Sequence, residues 1–201
     1  MSELTVGSLS GLAANSYVVD IASGSSLDLS NATDLPASAL PAGSIIAVKD
    51  AIFTGTQSAS VAASANIAVT SLSITHEVAN ASNKLIISAF LGAAANSDGK
   101  GQVGLAIDDG TSLIAIGDAD ESRVRTTAGG RIHDTGDTQI VTMPSVTFVH
   151  TPGTGSKTYT VRAINLDTGT KTLYINRGQS DTNSAGSPRA VSSLVIQEVA
   201  V

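Results

Sequence analysis

Few residues in this 201-residue chain are of a type and spacing that could do chemistry. Gly99-Lys100-Gly101-Gln102-Val103-Gly104 matches the dinucleotide pattern G-x-G-x-x-G letter for letter. That mechanism needs a strand before the glycines and, after them, a helix whose N-terminus holds the pyrophosphate. The residues that follow, Gln102 to Ile107, read instead as a strand, so the run is a loop. Gly153-Thr154-Gly155-Ser156-Lys157-Thr158 imitates a phosphate loop, but it lacks the glycine before the lysine and leads into another strand-like run, Tyr159 to Ile164. It reads as a hairpin turn. Asp108, Asp109, Asp118, Asp120 and Glu121 offer carboxylates of the kind calcium takes, in a spacing that fits no calcium loop. Turn-forming aspartates with salt bridges to Arg123 and Arg125 are the plainer reading. His76, His133 and His150 are scattered without zinc-site spacing, and no G-x-S-x-G elbow is present. The sequence therefore predicts no enzyme, no catalytic residue, no metal and no cofactor.

The elements that would position such residues are β-strands. Val103, Leu105 and Ile107 alternate, as do Leu85, Ile87, Ala89 and Leu91. Val146, Phe148 and His150 share one face of a strand, and Tyr159, Val161 and Ala163 share one face of another. Between Val69 and Leu72 the apolar phase slips by one residue, which predicts a bulge. Turn signals fall at Asp108-Asp109-Gly110, Pro152 to Gly155 and Asp167-Thr168-Gly169. About nine strands and no amphipathic helix result, the pattern of an antiparallel sandwich or jelly roll.

Composition agrees. Charged residues are 14% of the chain, against about 25% in ordinary domains, so Ser, Thr, Asn and Gly must carry the surface. Aromatics are 3% and there is no Trp, which weakens a sugar-binding reading built on flat aromatic faces. A net charge of −6 with no basic run argues against a nucleic-acid partner. Leu85 to Ala95 is too short and interrupted to span a bilayer, and Met1 to Thr5 lacks the basic and apolar regions of a signal peptide. With no cysteine, assembly in a bacterial cytoplasm is the expectation.

Residues 1–43 differ in texture: rich in Ser, Ala, Leu and Asn, acidic in every charge, and closed by Leu35-Pro36 through Pro41-Ala42-Gly43. They read as an extended N-terminal arm with one short strand, Tyr17 to Ile21, ahead of a β domain spanning 44–201.

That domain carries an ordered series of segments. It begins with Gly43-Ser44-Ile45-Ile46-Ala47-Val48 and Ser82-Asn83-Lys84-Leu85-Ile86-Ile87. Ile114 to Ala119, Ser122-Arg123-Val124-Arg125 and Lys157 to Val161 follow. The closing part is the most specific: Leu173-Tyr174-Ile175-Asn176-Arg177, Ser187 to Leu194 and Ile196-Gln197-Glu198-Val199. This series resembles a jelly-roll module, similar to trimeric TNF-like heads, that recurs in structural and fibre proteins of marine and freshwater phages, cyanophages among them. The resemblance implies a homotrimer on a virion surface. The expected role is capsid decoration or cement (or a short head fibre), with the arm bound to the major capsid protein or another virion protein. The alternative is a tail fibre or receptor-binding adhesin whose loops, Ala93 to Gln102 and Gln179 to Gly186, recognise host-surface glycan. A polysaccharide hydrolase lacks a recognisable carboxylate pair.

One structural site is expected at the last strand, Ala190 to Ala200. Leu194, Ile196 and Glu198 share a face, and Val191, Val195 and Val199 share the other. Both faces are apolar, as in a central strand covered on both sides. A carboxylate there needs a partner, and Arg123, Arg125, Arg177 and Arg189 are the candidates, within or between subunits.

Overall fold

In a computed structural model of the chain, residues 40–95, 101–131 and 138–201 are described. The strand Tyr17 to Ile21, the arm as far as residue 39, His133 and the start of the G-x-G-x-x-G run lie outside them. Every regular element among the described residues is a β-strand, and every pairing is antiparallel. In chain order they are β1 (Ile45–Phe53), β2 (Gln57–Val61), β3 (Asn66–Val78), β4 (Lys84–Phe90), β5 (Ala93–Ala95), β6 (Gln102–Asp108), β7 (Leu113–Ile114), β8 (Ala128–Arg131), β9 (Ser145–His150), β10 (Gly155–Asn165), β11 (Lys171–Ile175) and β12 (Ser192–Val199).

Twelve strands replace the nine or so that periodicity shows. The additional ones include β5, β7 and β8, of three, two and four residues, too short for alternation to register. Three sheets result, in the orders β1-β12-β4-β9, β3-β10-β6-β7 with β8 also on β6, and β2-β11-β5. They enclose one apolar core in which Leu72, Leu85, Ile87, Leu105, Tyr159, Leu173, Leu194 and Ile196 are fully buried.

The expected bulge is present. Ser73 pairs Thr160 and Ala68 pairs Arg162, so four residues of β3 span what β10 spans with Val161 alone. The insertion lets Val69 and Leu72 both point inward, each fully buried, despite their odd spacing. Asp108 and Asp109 build the β6–β7 turn by accepting the amides of Gly110, and of Thr111 and Ser112, at 2.8–2.9 Å.

β6 is covered on both faces, as its run of buried residues from Val103 to Ile107 shows. At Gly104 a Cβ would stand 2.7 Å from Thr126 Oγ1, whose hydroxyl donates to the Leu105 and Ala128 carbonyls. The last glycine of the nucleotide-like run is thus a packing glycine inside a strand.

Candidate functional site

β12 organises two features, one on each of its faces. As an inner strand between β1 and β4 it alternates cleanly. Ser192, Leu194, Ile196 and Glu198 are buried toward the core, and Ser193, Val195, Gln197 and Val199 are half-buried on the outside. The registers carry that outer face across the sheet in rows: Ile52, Ser193, Phe90 and Ser145; Asp50, Val195, Ser88 and Thr147; Val48, Gln197, Ile86 and Val149. Val48, Ile52 and Val149 are 59–61% exposed and Phe90 47%. Asp50 and Lys84 are the charges at these outward strand positions.

The outer face of the second sheet is different. There Ser73 bonds Thr160 and Thr75 bonds Thr158, hydroxyl to hydroxyl at 2.9 Å, and Arg162 closes an ion pair on Asp108 at 2.6 Å. The outer face of β1-β12-β4-β9 carries one such bond, Ser88 to Thr147 at 2.9 Å, between the rows that expose Val48, Ile52, Phe90 and Val149. Four large apolar side chains exposed on one sheet face are the feature here that a partner could cover.

The inner feature is polar. Glu198 Oε2 lies 2.7 Å from His76 Nε2, and Glu198 Oε1 accepts from Asn83 Nδ2 at 2.7 Å. All three residues are buried. The period-2 phase running from Leu72 through Ile74 places His76 inward, where β3 crosses β12. Asn83 arrives from the β3–β4 turn. Beside this end opens a pocket of about 440 Å³, lined by Leu40, Ile46, Ala79, Asn80, Asn83 and Val201 among others.

The arginines expected at Glu198 are engaged elsewhere in the chain. Arg123 pairs Asp120 at 2.8 Å at the surface, and Arg125 Nε donates to the Gly117 carbonyl at 2.6 Å. Arg189 pairs Asp181 at 2.7 Å; Arg177 stands 3.8 Å from that carboxylate and 4.7 Å from the centroid of the Tyr174 ring. The reason is geometric. Glu198 points into the core, where His76 and Asn83 meet it directly, while the four arginines sit on loops or at strand ends. An inward histidine on the facing strand is the partner that sequence reasoning passed over, although the alternation leading to it is regular.

A second pair crosses the same interior. His150 ends β9 and meets Tyr159 of β10 edge to face, ring centroids 6.0 Å apart. Burial pushes the His150 imidazole below its ordinary range; Asp109 opposes this and Lys157 adds to it. Burial, aided by Asp109, pushes the Tyr159 phenol up to about 12. Burial alone would raise Asp109, but the amides of Ser112 and Thr111, with Lys157 and His150, hold it below the usual carboxylate range. His76 Nδ1, His150 Nε2 and Tyr159 Oη are enclosed without a hydrogen-bond partner among the described residues.

Of the expected turn carboxylates, Asp108 pairs Arg162 and Asp120 pairs Arg123, while Asp118 and Glu121 are exposed. Among the described residues, no three His, Asp or Glu are grouped to hold a metal ion. No family model matches the chain, and no curated protein matches it by sequence.

Proposed function

We propose that this chain is a structural protein of a tailed-phage virion, a trimeric jelly-roll module that acts by assembly and surface binding. Capsid decoration or cement, or a short head fibre, is its role, with residues 1–43 as the attachment arm. The observation that carries the reading is the exposure of Val48, Ile52, Phe90 and Val149 on the outer face of β1-β12-β4-β9, whereas no large hydrophobic of β3, β10 or β6 is exposed. A second copy of the chain laid on that face would remove Val48, Ile52, Phe90 and Val149 from water, and since each is about half exposed the gain is about half of the roughly 1.5–3 kcal/mol for burying such a side chain completely.

The strand order supports the jelly-roll assignment. β12 lies between β1 and β4, and β10 between β3 and β6, so spatial neighbours come from opposite halves of the chain. That is how a hairpin-like ribbon wound into two sheets is ordered. Seven of the ten described Lys and Arg side chains have an ion-pair or carbonyl partner within the fold, in keeping with a scaffold rather than a nucleic-acid surface.

The alternative, an adhesin for host glycan, draws less support. Tyr174 is the aromatic nearest the Gln179–Gly186 loop in sequence, and one face of its ring is taken by Arg177. Gold labelling of intact particles tests the proposal. Label on the head is expected, and label confined to the tail overturns decoration in favour of the adhesin.

A further inference from the structure

The proton chemistry of the polar interior is not shared equally between its two histidines. His76 has a carboxylate in hydrogen-bond contact, that of Glu198. His150 has none: its Nε2 is enclosed without a partner, and the group against its ring is Tyr159, whose hydroxyl is also unpartnered. The charged and titratable groups around His150 can be named element by element. From β10 come Tyr159 and the like-charged Lys157. From the β6–β7 turn comes Asp109, whose Oδ1 already accepts the Thr111 and Ser112 amides. From β4 the register partner is the apolar Leu85, with Lys84 on the opposite face. Across the core, both oxygens of the Glu198 carboxylate are already engaged, by His76 and Asn83. An N–H at the enclosed Nε2 therefore has no acceptor in contact, and the charges around the ring are a carboxylate already bonded to two amides and the like-charged Lys157.

His150 also sits where such a charge can be relieved. β9 is the edge strand of its sheet, bonded to β4 alone, and His150 is its last residue. Freeing the His150 end breaks pairing along one side only. We propose that His150 is an acid-sensitive catch, its protonation releasing the end of β9 from β4. Because Val149 is one of the exposed apolar side chains on the outer face, release of β9 also removes part of the surface proposed for self-association; this consequence rests on the assembly reading, whereas the catch itself does not. The direction follows from linkage. An imidazole held below its ordinary range when folded binds a proton more readily in the opened strand, so opening is favoured as pH falls through about 6.5.

Amide hydrogen exchange on the full chain, divided by the intrinsic rate at each pH, tests this between about pH 7.5 and about pH 5.5. Protection at Val146 to His150 should fall with acidification, while protection at Val161 and Leu194 holds. His150→Phe keeps the aromatic contact and cannot titrate, so β9 protection should become independent of pH; His150→Gln is the second variant if that one does not fold. His76→Gln should leave the β9 response in place. Flat β9 protection in the unsubstituted chain overturns the proposal, and so does an acid response that survives both His150 variants. Sedimentation at the same pH values separates the two readings: an acid-sensitive β9 in a chain that never self-associates leaves the catch standing and removes the assembly reading.

Discussion

Glu198 and His76 approach to 2.7 Å from facing sheets, with 3% and 4% of their side chains exposed. A carboxylate on the inner face of a strand is costly unless bonded, because the interior solvates charge poorly. Here both carboxylate oxygens are bonded, and the bond ties β12 to β3 across the core.

Glu198→Ala should therefore destabilise the fold by about 3–5 kcal/mol, the usual cost of breaking a buried pair and stranding its partners. Chemical denaturation reads it directly. His76→Gln, which retains a donor of similar reach, should cost less. An unchanged midpoint in Glu198→Ala would mean that water reaches the carboxylate.

Much of this was legible in the sequence, and the rest was hidden for physical reasons. The long strands announced themselves because one buried face imposes period 2, and the β3 bulge appeared as a phase slip between Val69 and Leu72. The burial of Glu198 followed from its alternation with Leu194 and Ile196. Its partner did not, because cross-sheet contacts depend on how two sheets are superposed, which period 2 leaves open. The three-alanine strand β5 was invisible, since alanine gives no strand signal without its neighbours. The exposed apolar side chains of the outer face were half visible: the double-sided β12 suggested a cover, but only the registers put Val48, Ile52, Phe90 and Val149 on the same side of one sheet.

That surface makes a prediction opposite in kind to the first. Ile52→Lys with Val149→Lys should leave the unfolding midpoint of the isolated chain nearly unchanged, within about 0.5 kcal/mol per site, as exposed substitutions usually do. Self-association should be lost. Sedimentation of the unsubstituted chain as a stable monomer at micromolar concentration, with no trimer on particles, would sink the assembly reading.

Tyr159 gives an alkaline limb. Its phenol stays protonated to about 12 in the fold, against about 10 in the unfolded chain. The stability this contributes is intact below pH 10 and is lost as pH rises through about 12. Tyr159→Phe should flatten that limb. It should also cost little at neutral pH, since the hydroxyl it removes has no partner among the described residues. A large loss at neutral pH would show that the hydroxyl is bonded through solvent.

Asn176 is the position where side-chain and backbone demands coincide most closely. It is fully buried with φ of 60°, the left-handed region that asparagine tolerates and alanine resists. Its Nδ2 donates to the carbonyls of Phe53 and Gly55 at 2.6 and 2.9 Å, and its Oδ1 accepts the Ser192 hydroxyl at 2.6 Å. Its own amide donates to Gly92, and its carbonyl accepts from Ala190. One side chain thus ties the ends of β1 and β11 to the start of β12. Asn176→Ala removes the three side-chain bonds, strands two carbonyls and a hydroxyl, and forces a Cβ without compensation into the left-handed region. Stranded buried groups cost about 1–3 kcal/mol each, so the variant should be among the most destabilised in the chain. Asn176→Gly loses the same bonds but relieves the backbone, and should recover about 1 kcal/mol relative to alanine. Asn176→Asp keeps the acceptor for Ser192 but sets a carboxylate against two carbonyls, so it should fall nearer to alanine than to the unsubstituted chain. Thermal unfolding of the three variants ranks them. Glycine no more stable than alanine would show that φ at 176 relaxes, and a near-native alanine variant would show that water can replace the amide.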